Sequence, residues 1–167
     1  MEELKKIKTT LTLFIKDGKI LLGEKKRGFA KGTLNGIGGK QDPGETIDEA
    51  MLRECVEEVG ALPVEYSKVG RIRFNVWYKG EHSDLEMFVY KCTKYDGEMK
   101  ETDEIIPHWF DLENVPFDRM LKDDLLWLPE VLKGKKIVGS VRFDENMNML
   151  EHNFKSVQQI PEDEICK

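Results

Sequence analysis

Long apolar runs are missing from this chain. Its longest are the four-residue stretches Met87–Tyr90 and Leu125–Leu128, far short of the roughly 20 residues a membrane helix needs. A membrane is therefore not an expected partner. Cysteine is scarce too: Cys55, Cys92 and Cys166 are too few and too scattered for a disulfide framework, which points to a reducing, cytoplasmic setting. The opening Met1-Glu-Glu-Leu-Lys-Lys has no apolar stretch of the kind a secretory leader carries. Surplus positive charge is also lacking. The net charge is −6, which argues against a nucleic-acid polymer as partner, because a duplex-binding surface needs excess Lys and Arg. An acidic chain that handles phosphates would have to bring in metal cations.

Apolar residues make up 40% and charged residues 35% of the 167, which suits a globular chain of ordinary single-domain size, about 100–200 residues. Such a chain buries about 68–70% of its unfolded surface, enough for a core without staples. The expectation is one domain over 1–157 and a loose polar tail over 158–167. Thr9–Ile15 reads as a strand, and Asp17-Gly18 is hairpin-turn chemistry that returns it through Lys19–Gly23. Residues 25–44 hold six glycines and Pro43 and read as loop, a short strand around Leu34–Ile37, then loop. Residues 46–59 are the strongest helix, with a Thr46/Glu49 capping box and Gly60 at the C-terminal cap. Lys68–Tyr78, Leu85–Tyr95, Ile105–Asp111, Lys136–Phe143 and Met149–Phe154 read as strands. Phe117–Lys133 contains a second helix that Pro129 should bend or end. Two helices among many strands predict an α/β sandwich with a mixed sheet.

On a helical wheel, Ile47, Met51, Leu52, Cys55, Val56 and Val59 form a broad arc expected to pack on the sheet. Glu54, Glu57 and Glu58 fall beside it at i,i+3 and i,i+4. Like charges at those spacings repel by a few tenths of a kcal/mol per pair, and near a helix C-terminus the macrodipole disfavours them further. Three glutamates alone read first as a solvated acidic face. The preceding Gly38-Gly39-Lys40 changes that, because two glycines let backbone approach a ligand closely, and a cluster of hard oxygen donors suits Mg²⁺ or Mn²⁺.

Residues 39–61, GKQDPGETIDEAMLRECVEEVGA, resemble the Nudix box, G-x5-E-x7-R-E-U-x-E-E-x-G-U, where U is a bulky aliphatic. Gly39, Glu45, Arg53, Glu54, Glu57, Glu58 and Gly60 fall in register, while Cys55 and Ala61 depart from the pattern at the U positions. The resemblance implies the Nudix fold, a mixed β-sheet sandwiched between α-helices, and Mg²⁺-dependent hydrolysis of nucleoside diphosphate linkages, with Mn²⁺ as a possible substitute. It implies Glu54, Glu57 and Glu58 as metal ligands, with the Gly38 carbonyl and Glu104 as further candidates. Arg53 and Glu45 would orient them. One of the glutamates, or Glu104, would act as general base.

Beyond the box, KKRGFAKGTLNGIGGK (25–40) and DEIIPHWFDLENVPFDRMLKDD (103–124) resemble the oxidised-purine nucleoside triphosphate hydrolases of the MutT-homologue branch. That resemblance implies conversion of 8-oxo-dGTP or 2-hydroxy-dATP to monophosphate and pyrophosphate, and a monomer is expected. It places Asn35, Asp123 and Asp124 against the base, in a pocket with Thr10, Lys25, Phe29 and Leu121, and puts Ile37, Gly38, Gly39 and Lys40 along the substrate. Asn presents both a donor and an acceptor, and paired carboxylates can share a proton. Leu121 and Leu34 stand where that branch carries aromatics, and a lost stack is worth about 1–3 kcal/mol. Two alternatives stay open: a broader nucleoside triphosphate or dinucleotide pyrophosphatase, and a silent nucleotide-binding module of the same fold.

Overall fold

In the computed structural model, which describes residues 4–28 and 30–162, Asp17 and Gly18 take φ of 52° and 74°, the paired left-handed conformation of a tight hairpin turn. They join β1 (Lys5–Lys16) to β2 (Lys19–Lys25). The two strands pair only beside the turn, from Phe14 with Leu21 to Lys16 with Lys19, and then part. Residues 34–40 fill the gap. Here β3 (Leu34–Asn35) pairs with β2, while Ile37 and Lys40 bridge to Thr12 and Thr9 of β1.

The long hairpin of β4 (Leu62–Tyr78) and β5 (Glu81–Asp96) starts earlier than the sequence suggests. Pro63, opposite Tyr95, is tolerated because the β4/β5 ladder shifts register between it and Glu65, a bulge position open to proline. The remaining strands are β6 (Ile105–Asp111) on β2, β7 (Lys136–Phe143) on β4 and β8 (Met149–Val157) on β7. Among the described residues these make one eight-stranded sheet in the order β3-β2-β1-β5-β4-β7-β8, with β6 also on β2. The sheet is mixed: β1/β5 and β4/β7 are parallel and the other pairs antiparallel.

Strand alternation divides the core between two faces. Phe14, Leu21, Phe88, Tyr90 and Cys92 pack with Met51 and Cys55 of α1 (Ile47–Val59). Leu11, Leu13, Ile72 and Val89 pack with Trp127, Leu128 and Val131 of α2 (Asp124–Leu132). The expected sandwich of a mixed sheet between helices is the fold found. Pro129 does not end α2, which runs on to Leu132. Burial of Trp127, Leu128 and Val131 offsets the lost backbone bond, at about 1.5–3 kcal/mol for each fully buried large side chain. Residues 158–162 also differ from a loose tail. Ile160 is 6% exposed, and the Arg71 guanidinium donates to the carbonyls of Pro161 and Glu162.

Candidate active site

Both ends of α1 follow its sequence. Thr46 Oγ1 accepts the Glu49 N–H, the Glu49 carboxylate accepts the Thr46 N–H, and Gly60 closes the helix at φ 75°. Its faces are arranged otherwise. Val56, placed by the sequence on the packing arc, is 46% exposed, whereas Glu58 is 7% exposed. At about 100° per residue Glu58 stands about 20° from both Ile47 and Met51, in the middle of the buried arc. A carboxyl group therefore sits where an aliphatic side chain would be expected.

Burial pushes the Glu58 carboxyl up to about 8, and the charges of Glu54 and Glu104 push the same way, with Lys25 opposing. Glu54 is raised as well, chiefly by burial, against the pull of Arg53. Arg53 ties the helix to the glycine-rich loop. Its Nε and Nη2 donate to the two Glu45 oxygens at 2.6 and 2.9 Å, Nη1 to Glu54 at 2.8 Å and Glu57 at 3.2 Å, and Nη2 also to the Lys40 carbonyl at 2.9 Å. The guanidinium holds the Glu45 carboxyl below the ordinary carboxylate range. Forked donation to both carboxylate oxygens is a geometry that lysine cannot reproduce.

The two loop glycines are there because other atoms occupy the space. A Cβ on Gly38 would stand 1.7 Å from the Thr10 carbonyl oxygen, and one on Gly39 would stand 2.4 Å from Glu54 Cδ. The loop thus lies flat on β1 and beneath the Glu54 carboxylate. Lys40 supplies its carbonyl to Arg53 and lays its ammonium 4.8 Å from the centre of the Tyr78 ring.

Among the described residues no three His, Cys, Asp or Glu side chains converge at ligand distance, and Glu57 is 58% exposed and turned toward Arg53. The donor chemistry nevertheless fits a hard divalent cation. Glu58 is a buried carboxyl whose neighbours Glu54 and Glu104 are also acidic. Burying such a group charged is costly unless a cation or a proton accompanies it, and the oxygen set matches Mg²⁺ or Mn²⁺.

The residues expected around the base do not share one surface. Asp123 and Asp124 open α2 and are 5% and 3% exposed. Asp123 accepts the Trp127 Nε1–H at 3.2 Å, while Asp124 Oδ2 is buried without a hydrogen-bond partner among the described residues. Burial and the Asp123 charge push the Asp124 carboxyl up to about 8. Leu121 is half-buried just before them. Asn35 sits on β3 with its Oδ1 accepting the Gly36 N–H.

Thr10 and Lys25 do not line a pocket with the aspartates, as the sequence suggests. Thr10 is opposite Phe88 in the parallel β1/β5 register, so its side chain shares the α1 face with Phe88 rather than the α2 face of the aspartates. Lys25 alternates with Leu21 onto that same α1 face, and its charge acts on Glu58. Ile37 is fully buried in the core under α1, so its side chain is not available to a substrate. Leu34 is likewise fully buried. Phe29 lies outside the described residues. The alternation along β2 carried the signal for Lys25, once the face of Leu21 was known.

A two-helix sandwich with a carboxylate-rich helix fastened by one arginine to a glycine loop defines a class of phosphoanhydride-cleaving protein. The NUDIX domain model matches residues 6–131, and the chain belongs to the Nudix hydrolase family. It is similar to the oxidized purine nucleoside triphosphate hydrolase of Danio rerio, 39% identical over 90% of this chain and 96% of that protein. The Mus musculus protein of the same name is 35% identical over 89% of this chain and 94% of its own length. In fold it is similar to a MutT protein from Bacillus halodurans, with a TM-score of 0.75 at 24% identity, over 89% of this chain and 97% of that one. Nudix hydrolases use divalent metals such as Mg²⁺. Among the described residues no helix is long and apolar enough to cross a membrane.

Proposed function

We propose that this chain hydrolyses oxidised purine nucleoside triphosphates, such as 8-oxo-dGTP and 2-hydroxy-dATP, to the monophosphate and pyrophosphate. It would act as a cytoplasmic monomer on free nucleotides, with Mg²⁺ as its ion and Mn²⁺ as a substitute. The observation that carries the hydrolytic half is Glu58, a carboxyl buried among other carboxyls on a helix that Arg53 locks to the loop. When bound, the cation would neutralise charge on the triphosphate and make water acidic enough to attack. The chain's own residues do the rest. Glu54, Glu57 and Glu58 hold the ion, with Glu104 and the Gly38 carbonyl as further donors. Arg53 and Glu45 keep Glu54 in place over Gly39. Lys25 offers its ammonium to the polyphosphate beside Glu58. One of the four glutamates takes the proton of the attacking water.

The base half rests on the relatives named above and on Asp123–Asp124. A carboxyl pushed up to about 8 carries its proton at neutral pH and can donate, while its neighbour accepts. Such a pair suits a purine edge that presents both kinds of group. A broader pyrophosphatase is the second reading, favoured by Leu121, whose aliphatic side chain offers contact but no ring to stack. A panel of 8-oxo-dGTP, 2-hydroxy-dATP, dGTP, dATP and a dinucleoside polyphosphate, scored by kcat/KM with Mg²⁺, separates the two. Preference for the oxidised purines supports the first reading, and a flat panel supports the second.

A further inference from the structure

Thr102 uses every polar group it has to join three segments. Its Oγ1 donates to the Glu58 carbonyl at 2.8 Å and accepts the Glu104 N–H at 3.4 Å. Its backbone N–H donates to the Ile105 carbonyl at 3.0 Å. Its carbonyl accepts from Lys26 Nζ at 3.0 Å, and the Lys26 N–H in turn donates to the Glu104 carbonyl at 2.9 Å. The last carbonyls of a helix have no partner within it. Here Glu58 is served by Thr102 and Val59 by the Lys100 N–H at 3.0 Å. The hydroxyl therefore touches the backbone of both Glu58, on α1, and Glu104, on the loop before β6, whose carboxylate lies 3.6 Å from Arg27 Nη2 and whose charge acts on Glu58.

We propose that Thr102 is a positioning residue of the hydrolytic site, its hydroxyl fixing the loop against the end of α1 so that Glu104 faces the same cation as Glu58. The inference rests on the metal-dependent reading above. Outer contacts that orient metal ligands are typically worth about 10–100-fold in affinity or activity.

The test is a Mn²⁺ titration followed by electron paramagnetic resonance, without substrate, beside kcat and KM for 8-oxo-dGTP. Thr102→Val should weaken Mn²⁺ binding and lower kcat about tenfold or more with KM little changed. Thr102→Ser should restore both. In a Glu104→Gln background, Thr102→Val should add no further loss. If Thr102→Val does not fold, Thr102→Ala removes the same hydroxyl and carries the same comparison. A valine variant with wild-type Mn²⁺ affinity and kcat, and only a lower Tm, would make Thr102 a cap and overturn the inference. A wild type that binds no Mn²⁺ would instead overturn the metal reading, and this inference with it.

Discussion

The Glu54 carboxylate lies against Gly39 so closely that a methyl group on residue 39 would stand 2.4 Å from both Cδ and Oε2 of Glu54. Gly39 is thus part of the seat for an acidic side chain that Arg53 holds from the other side at 2.8 Å. Gly39→Ala should displace the carboxylate while leaving the helix and sheet intact. Holding catalytic groups in place is worth orders of magnitude, and a shift of about 1 Å can cost about 100-fold. The expected result is a fall in kcat of about that size with an unchanged circular dichroism spectrum. A variant with wild-type kcat would show that Glu54 need not occupy this seat.

Arg53→Lys should be damaging although it keeps the charge. The lysine ammonium cannot reach both Glu45 oxygens, Glu54 and the Lys40 carbonyl together. Hydrogen bonds to charged groups contribute about 1.5–3 kcal/mol each, discounted here because the Arg53 side chain is 25% exposed. A net loss of about 1–2 kcal/mol corresponds to a Tm lower by about 2–8 °C for a chain of this size. Calorimetry checks the stability, and kcat should fall more steeply than KM rises. Equal Tm and kcat would show that the fork is not needed.

Much of this is legible in the sequence. The capping box at Thr46, the stop at Gly60 and the Asp17-Gly18 turn are local chemistry, decided within a few residues, and the seven box positions lie within one loop and one helix. Facing directions were not legible. Thr10 and Lys25 turn toward α1 because of which strands β1 and β2 lie beside and which helix covers each face, and that parity is fixed by tertiary packing. The depth of Glu58 could have been read from the wheel, since it falls between Ile47 and Met51, but carboxyl chemistry argued for the surface. Thr102 left no sequence signal, because its partners Glu58 and Lys26 come from other elements.

Asp124 contributes to the pH dependence of stability. Its carboxyl is raised from 3.8 to about 8, so the folded chain binds a proton more tightly than the unfolded chain. Its contribution is complete below about 4, is lost as pH rises toward 8, and changes by up to about 1.4 kcal/mol per pH unit between them. Glu58, raised to about 8, acts in the same direction in metal-free protein. Tm without metal should therefore fall from pH 5 to pH 9. Asp124→Asn and Glu58→Gln, which stay uncharged, should each flatten the slope, and Mg²⁺ should raise Tm of the wild type more than that of Glu58→Gln. A slope unchanged in both variants would assign the effect elsewhere.

Asp124→Asn is also the cleaner test of base recognition. Asp123→Ala would leave the buried Trp127 N–H without its acceptor, at about 1–3 kcal/mol of stability, and so confuse binding with folding. The asparagine variant should lose about 5–150-fold in kcat/KM for oxidised purines, the equivalent of 1–3 kcal/mol, and far less for a pyrimidine triphosphate. Leu121→Trp should lower KM for oxidised purines by adding a stacking ring. Equal losses on purines and pyrimidines in Asp124→Asn would place that side chain away from the base.

Cleavage of an oxidised purine triphosphate by a cation-dependent carboxylate helix is tested by the ratio of kcat/KM for 8-oxo-dGTP to that for dGTP with Mg²⁺, in wild type and Glu58→Gln, with product identified. Expected are 8-oxo-dGMP and pyrophosphate from the wild type, a ratio well above one, and loss of most turnover in a Glu58→Gln protein that remains folded. A ratio near one would contradict the assigned substrate, and full turnover by Glu58→Gln or by metal-stripped protein would contradict the site.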